Sequence, residues 1–281
     1  MLRYILILSS TFCFSLLAHA QIQPTASENI LKTELMLQVL GDSIIKGSND
    51  LIREAAISEF NARFFDLLAE PSTFNYPFDS LKTISKVKSA DGRVRIYSWI
   101  QQSRTTGKYK YFGVVQRLDL KTGKMKLIGL LELKSATVEA ESIEFKADTW
   151  FGAVYYDIIE KKSGKNTYYY LLGWHGNDRL TNKKVIDVLF FDQWDNITFG
   201  APVFLDENKK LKYRVVFEFS AQAVMLLRYE KKKKMIVFDH LSPTSPSAKG
   251  QFQYYGPDFT YDGFYFKKGI WNYRKNLDLR N

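Results

Sequence analysis

Few residues in this 281-residue chain are equipped for proton chemistry. It holds 3 histidines and 1 cysteine, and beyond the N-terminal apolar stretch only His175 and His240 remain. Each follows an apolar run and opens a polar loop. "LLGWHGNDRLTNKK" (171–184) sets His175 near Asp178, and "VFDHLSP" (237–243) sets Asp239, His240 and Ser242 close together. Should the two loops meet in space, His175, Asp178, Asp239 and His240 would form a catalytic acid–base group, because imidazole titrates near neutral pH and a carboxylate can orient it. Asp239, His240 and Ser242 also have the residue types of a nucleophilic triad. Such a triad needs the serine on one imidazole nitrogen and the carboxylate on the other, which sequence proximity does not supply. The chain has no G-x-S-x-G elbow.

The 171–184 loop has a second possible chemistry. Asp178, Asn182 and backbone carbonyls are oxygen donors of the kind calcium takes, but the loop lacks the alternating acidic positions and closing glutamate of an EF-hand. Turn closure by the Asn and Asp side chains, with Gly173 and Gly176 supplying free dihedrals, explains its composition. No metal site and no cofactor is expected.

The most aromatic stretch is "QFQYYGPDFTYDGFYFKKGIWNY" (251–273). Alternation of Phe259 and Tyr261 with Asp258, Thr260 and Asp262 reads as a strand with one apolar face. Core packing accounts for most such rings. A ligand-binding reading places the rings of Trp174, Tyr255 and Tyr261 flat against sugar faces, with Asp258 and Asp262 accepting bonds from hydroxyls. On a straight strand at ~3.3 Å per residue those two carboxylates stand ~13 Å apart. Glycosidase pairs lie at about 5–5.5 or 6.5–9.5 Å, so Asp258 and Asp262 are expected as ligand contacts and not as a catalytic pair.

The elements that must position these groups change period along the chain. Thr25 to about Leu68 is helical: Thr25 and Glu28 fit a capping box, Gly41 and Gly47 mark a break, and Ser48-Asn49-Asp50 caps a second helix. Its apolar stripe is Leu51, Ile52, Ala55, Ala56, Phe60, Phe64 and Leu67. After Leu81 the period becomes two. Turn signals such as "SADG", "TTGK", "KTGK", "KSGK" and "DENKK" separate strands at 84–88, 93–102, 109–119, 124–133, 143–147, 150–160, 167–174, 184–192, 211–219, 223–230, 234–239, 251–256 and 259–266. Short links imply an antiparallel meander, and the lack of helical crossovers argues against parallel α/β folds. The expectation is an α+β protein, a helical pair (21–80) before a large antiparallel β-meander (81–281) forming a barrel, a sandwich or an open propeller-like array.

Charge is divided unequally. Residues 21–80 carry 4 basic and 9 acidic side chains, whereas 81–281 carry 35 and 21. A lysine-rich solubilising surface explains most of this, including "YEKKKKMIVF" at a hairpin tip. An acidic partner is the alternative. The N-terminus combines Arg3, an apolar run from Tyr4 to Leu17 and Ala18-His19-Ala20, the signature of a secretory signal peptide over residues 1–20 cleaved near Ala20. Its roughly 14 apolar residues fall short of the ~20 that span a bilayer, so no transmembrane segment is expected. Cleavage would remove Cys13, which excludes disulfides and thiolate chemistry in the mature chain, and would leave too few histidines for a three-His zinc site.

The segments "LLGWHGNDRLTNKKVIDVLFFD", "YRVVFEFSAQAVMLLRYE", "IVFDHLSP" and "QYYGPDFTYDGFYFKKGIW" resemble a group of uncharacterised exported proteins of Bacteroidetes-type bacteria. The resemblance covers roughly residues 84–273. It implies secretion and a β-rich fold, and brings no activity, ligand or catalytic residue. The resulting expectation is a periplasmic or secreted envelope protein that binds a glycan, an acidic polymer or another envelope protein without catalysis, and binds no nucleic acid. The alternative is a hydrolase of envelope or extracellular polymer built on the loops of His175 and His240.

Overall fold

The computed structural model describes residues 26–133 and 139–279. Residues 1–20, expected from sequence as a signal peptide, and the expected cap Thr25 lie outside them. Two helices lead, α1 (Ala26–Lys46) and α2 (Asp50–Leu68). α1 runs straight through Gly41, where the sequence suggested a break. A Cβ there would sit 2.5 Å from Thr83 Oγ1, so the glycine serves close packing instead. Gly47 does separate the helices, and Asn49 caps α2 by accepting from Ile52 N at 3.0 Å.

The buried face of α2 is Arg53, Ala56, Ile57, Phe60, Phe64 and Leu68, while Leu51 and Ile52 are exposed. The difference from the expected stripe originates at Arg53. Its guanidinium turns inward to satisfy the carbonyls of Ile45, Gly47 and Gln102, which places the first apolar turn outside.

Three open sheets follow. The first is β1 (Ser85–Lys88), β2 (Val94–Gln102), β3 (Tyr109–Leu118) and β4 (Met125–Leu131), in that order. The second contains β5 (Val154–Ser163), β6 (Asn166–His175), β7 (Thr181–Phe191) and β8 (Ile197–Phe199), with β11 (Val215–Ser220) beside β7. The third holds β12 (Leu227–Glu230), β13 (Met235–Pro243), β14 (Tyr255–Lys267) and β15 (Ile270–Arg274), extended by the two-residue strands β9 (Phe204–Leu205) and β10 (Leu211–Lys212). Strand pairing is antiparallel except between β15 and β9. Segment 143–147, expected as a strand, forms only one bridge, Phe145 to Phe199. Residues 252–254 form a 3-10 turn, after which β14 runs unbroken from Tyr255.

The sheets stack face to face, with the helices on the outer face of the first. Alternation makes this possible, since successive side chains point to opposite faces. Tyr97 and Trp99 meet Phe60 and Phe64 of α2, with Phe64 edge-on to Tyr97 at 5.2 Å. On the other face Ile96 and Val115 meet Tyr169, Leu171 and Val185 of the second sheet. Tyr170, Leu172 and Ile186 then face Ile236, Phe238 and Trp271 of the third. The middle core holds a buried ion pair, Arg214 Nε to Asp187 Oδ1 at 3.0 Å. Asp187 also accepts from Tyr155 Oη at 2.9 Å, and Tyr155 Oη accepts from Trp150 Nε1 at 2.9 Å.

Candidate functional site

The structure gathers polar chemistry where β13 passes β14. The two strands pair regularly up to Asp239–Tyr261 and resume at Leu241–Pro257, so His240 faces three residues, Asp258 to Thr260. β14 therefore bulges, and Phe259 takes a left-handed φ of 67° with its ring 90% exposed. A non-glycine residue there stores roughly 1–2 kcal/mol of strain. Asp258 holds the bulge by accepting from Thr260 N and Oγ1 at 3.1 and 2.7 Å.

The bend brings both aspartates of β14 to one imidazole. Asp262, buried, lies 2.7 Å from His240 Nδ1. Asp258 Oδ2 lies 3.9 Å from Nε2. The straight-strand spacing expected from sequence does not apply, because the bulge shortens the path between the carboxylates. Asp262 also accepts from Tyr273 Oη at 2.5 Å and from Asn276 N at 3.0 Å. Three donors on one buried carboxylate satisfy it as an acceptor, so the imidazole orientation is set from below. Burial raises the Tyr273 phenol, and its bond to Asp262 raises it further, so it stays a donor. Burial pushes the Asp258 carboxyl up, but bonds from Thr260 and Ser242 and the nearby His240 outweigh it and leave its pKa below the usual value.

His240 and Asp262 line a cleft of about 280 Å³ at the open end of the layer between the second and third sheets. Phe217, Phe238 and Phe264 give it aromatic walls, and Asp206, Glu207 and Asp239 make its rim acidic. Lys212, the lysine of the lining, is paired with Glu141 at 2.7 Å.

The other sequence candidates lie apart. His175 is stacked on Tyr111 at 4.5 Å and tilted against Phe151 at 5.4 Å. Burial, with Lys183 nearby, lowers its pKa from 6.5 to about 4. Asp178 closes its own turn, accepting from Leu180 N and Thr181 N at 2.7 and 2.8 Å. Asn182 donates to Ala221 O at 3.5 Å, away from any shared oxygen cage with Asp178. Neither His175 nor Asp178 lines the cleft of Asp239 and His240. Asp239 accepts from Leu226 N at 2.7 Å and so anchors the segment before β12. Ser242 donates to Asp258 at 2.8 Å, which directs its hydroxyl to a carboxylate and not to an imidazole.

Trp174 packs edge-on against Tyr109 at 5.5 Å. Tyr255 Oη accepts from Gly250 N at 2.9 Å, and its ring meets Phe252 at 5.2 Å. Tyr261 lies half-buried beside Leu277 and Leu279. Sequence reasoning did not single out Tyr273 as a partner of Asp262; only the β14–β15 register brings it there. Among the described residues no group of three or more His, Cys, Asp or Glu side chains is placed to hold a metal ion, and no helix is long and apolar enough to cross a membrane. No protein-family model, curated protein or solved structure matches the chain.

Proposed function

We propose that this is an exported envelope protein whose His240 cleft binds a neutral, polyhydroxylated ligand, such as a sugar unit of an envelope or extracellular glycan, without transforming it. The observation that carries this reading is the imidazole held by Asp262 at the mouth of an aromatic-walled cleft. Carboxylates and imidazole accept from hydroxyls, and phenyl walls suit the apolar faces of a sugar ring. At about 280 Å³ the cleft lies at the small end of the ~300–1,000 Å³ typical of ligand sites, a size for one ring and not a long segment. Its acidic rim disfavours an acidic ligand. Export is supported by Arg3, the apolar run and Ala18-His19-Ala20, together with the resemblance to exported proteins.

The test is binding of neutral mono- and oligosaccharides by calorimetry. His240→Ala and Asp262→Asn should each weaken binding tenfold or more. Unchanged affinity in both variants would sink the proposal.

A second reading is favoured by the 2.7 Å contact between Asp262 and His240 Nδ1, the geometry of an oriented general base. It makes the protein a hydrolase of extracellular polymer in which His240 activates water. Release of new chain ends from a polymer, abolished by His240→Ala, would select it over simple binding.

A further inference from the structure

A second site lies away from the His240 cleft, between the β3–β4 hairpin and the loop after β7. The groove there, about 660 Å³, is lined by Arg93, Arg117, Lys124 and Lys126, with Asp119 and Asp195 as its only acids. Both acids are already engaged. Asp119 accepts from Lys121 N and Thr122 N within its own turn, and these bonds hold its carboxyl below the usual range. Asp195 takes Arg117 Nε at 3.2 Å, while its main-chain carbonyl takes Lys126 Nζ at 2.7 Å.

Positive charge therefore remains in excess. Among the described residues the side chains of Arg93 and Lys124 make no hydrogen bond or ion pair. Arg117 Cζ lies over the Phe191 ring at 4.5 Å, and its buried Nη1 has no partner among the described residues.

The loop that contributes Asp195 to the groove also carries Trp194, which lies just outside the lining and is 73% exposed. An indole of that size is normally covered, and here the backbone keeps it out. Asp192 accepts from Trp194 N at 2.9 Å, Asn196 N at 2.8 Å and Asn196 Nδ2 at 3.1 Å, which fixes the loop on either side of the ring. Asp195 sits at φ 60°, the left-handed region, within the same turn. A rigid, exposed aromatic face next to a cationic groove matches a ligand that combines a flat apolar face with acid groups.

We infer that this groove binds an acidic polysaccharide. Trp194 stacks on a pyranose face, and Arg93, Lys124 and Lys126 take the carboxylates or sulfates of the chain. This site is independent of the one at His240 and has the opposite charge preference.

The experiment measures binding of the purified protein to four probes: polygalacturonate, dextran sulfate, unsubstituted dextran and inorganic polyphosphate. Binding to polygalacturonate or dextran sulfate is expected, weakening steeply with salt, and the stronger of the two identifies the acid group. Arg93→Glu with Lys124→Glu should reduce it at least tenfold. Both positions are exposed, and an unchanged unfolding midpoint will show that the fold is kept. Trp194→Ala should reduce polysaccharide binding about fivefold or more and leave any polyphosphate binding untouched. His240→Ala should have no effect. Equal loss of polyphosphate and polysaccharide in the charge variants, with no effect of Trp194→Ala, would overturn the inference in favour of plain charge attraction. No loss in the charge variants would overturn it outright.

Discussion

At the scale of single residues, the two histidines illustrate opposite environments. His240 is half-exposed with a carboxylate on Nδ1, whereas His175 is sandwiched among rings that give its protonated form nothing to pair with. This has a consequence for stability. Folded His175 titrates near 4 and the unfolded residue near 6.5, so between those values the unfolded chain binds the extra proton. Stability contributed by neutral His175 is complete above pH 6.5 and is lost as pH falls towards 4, in total about 3 kcal/mol. His175→Phe keeps the stacking and removes the titration. Urea unfolding at a series of pH values should show a flatter acid limb for the variant; identical limbs would mean that His175 takes no part.

Rarity made His240 legible as a candidate in the sequence. Its real partner was not legible, because period-two spacing put Asp258 and Asp262 far apart, and only a bulge set by pairing with β13 brings them together. Tyr273 was hidden for the same reason: its contact with Asp262 depends on how β15 returns beside β14.

At the scale of elements, polar side chains decide how apolar surfaces meet. Arg95, buried, donates to the carbonyls of Thr73, Phe74 and Tyr76, and so pins the segment after α2 to the first sheet. Glu34, also buried, ties α1 to the same segment by accepting from Tyr76 Oη and Ser80 N, each at 2.7 Å. Arg214 does more, because from just before β11 it reaches the carbonyls of Ala140, Ile143 and Phe199 while paired with Asp187.

Asp187→Ala leaves that guanidinium buried and unpaired and is expected to cost about 3–5 kcal/mol. Adding Arg214→Met should recover a large part of the loss, since the pair itself contributes little against an apolar substitute. Urea midpoints of the two variants check this; a double variant as weak as the single one would show that Arg214's carbonyl bonds matter more than its charge. Strand positions were legible here from alternation and turn residues. The inward turn of Arg53 was not, because the carbonyls it satisfies belong to α1 and to β2, a distant part of the chain.

At the scale of the whole molecule, the layers differ in how much water they see. The second sheet is covered on both faces, by the first sheet and by the third, while the third is covered on one. Backbone amides of β6 and β7 should therefore exchange most slowly, and those of β12 and outer β14 much faster. Hydrogen exchange followed by mass spectrometry reads this order directly, and equal protection of β14 and β6 would contradict it. α2, through Phe60 and Phe64, and the segment after it, through Phe78, shield one face of the first sheet, so β2 and β3 should exchange as slowly as a two-sided layer allows. Layer count was beyond the reach of the sequence. Period-two strands show which residues share a face, but which faces meet is a property of long-range packing.

The order of the layers also orders the charge. The acidic segment of residues 26–80 sits at one end of the stack, and the basic strands make up the rest. Net charge therefore changes sign along the stack, negative on the helices and positive over the sheets taken together. Any strongly charged surface exerts a torque on such a body before contact is made, so a negatively charged one meets the sheets first and leaves the helices facing outward.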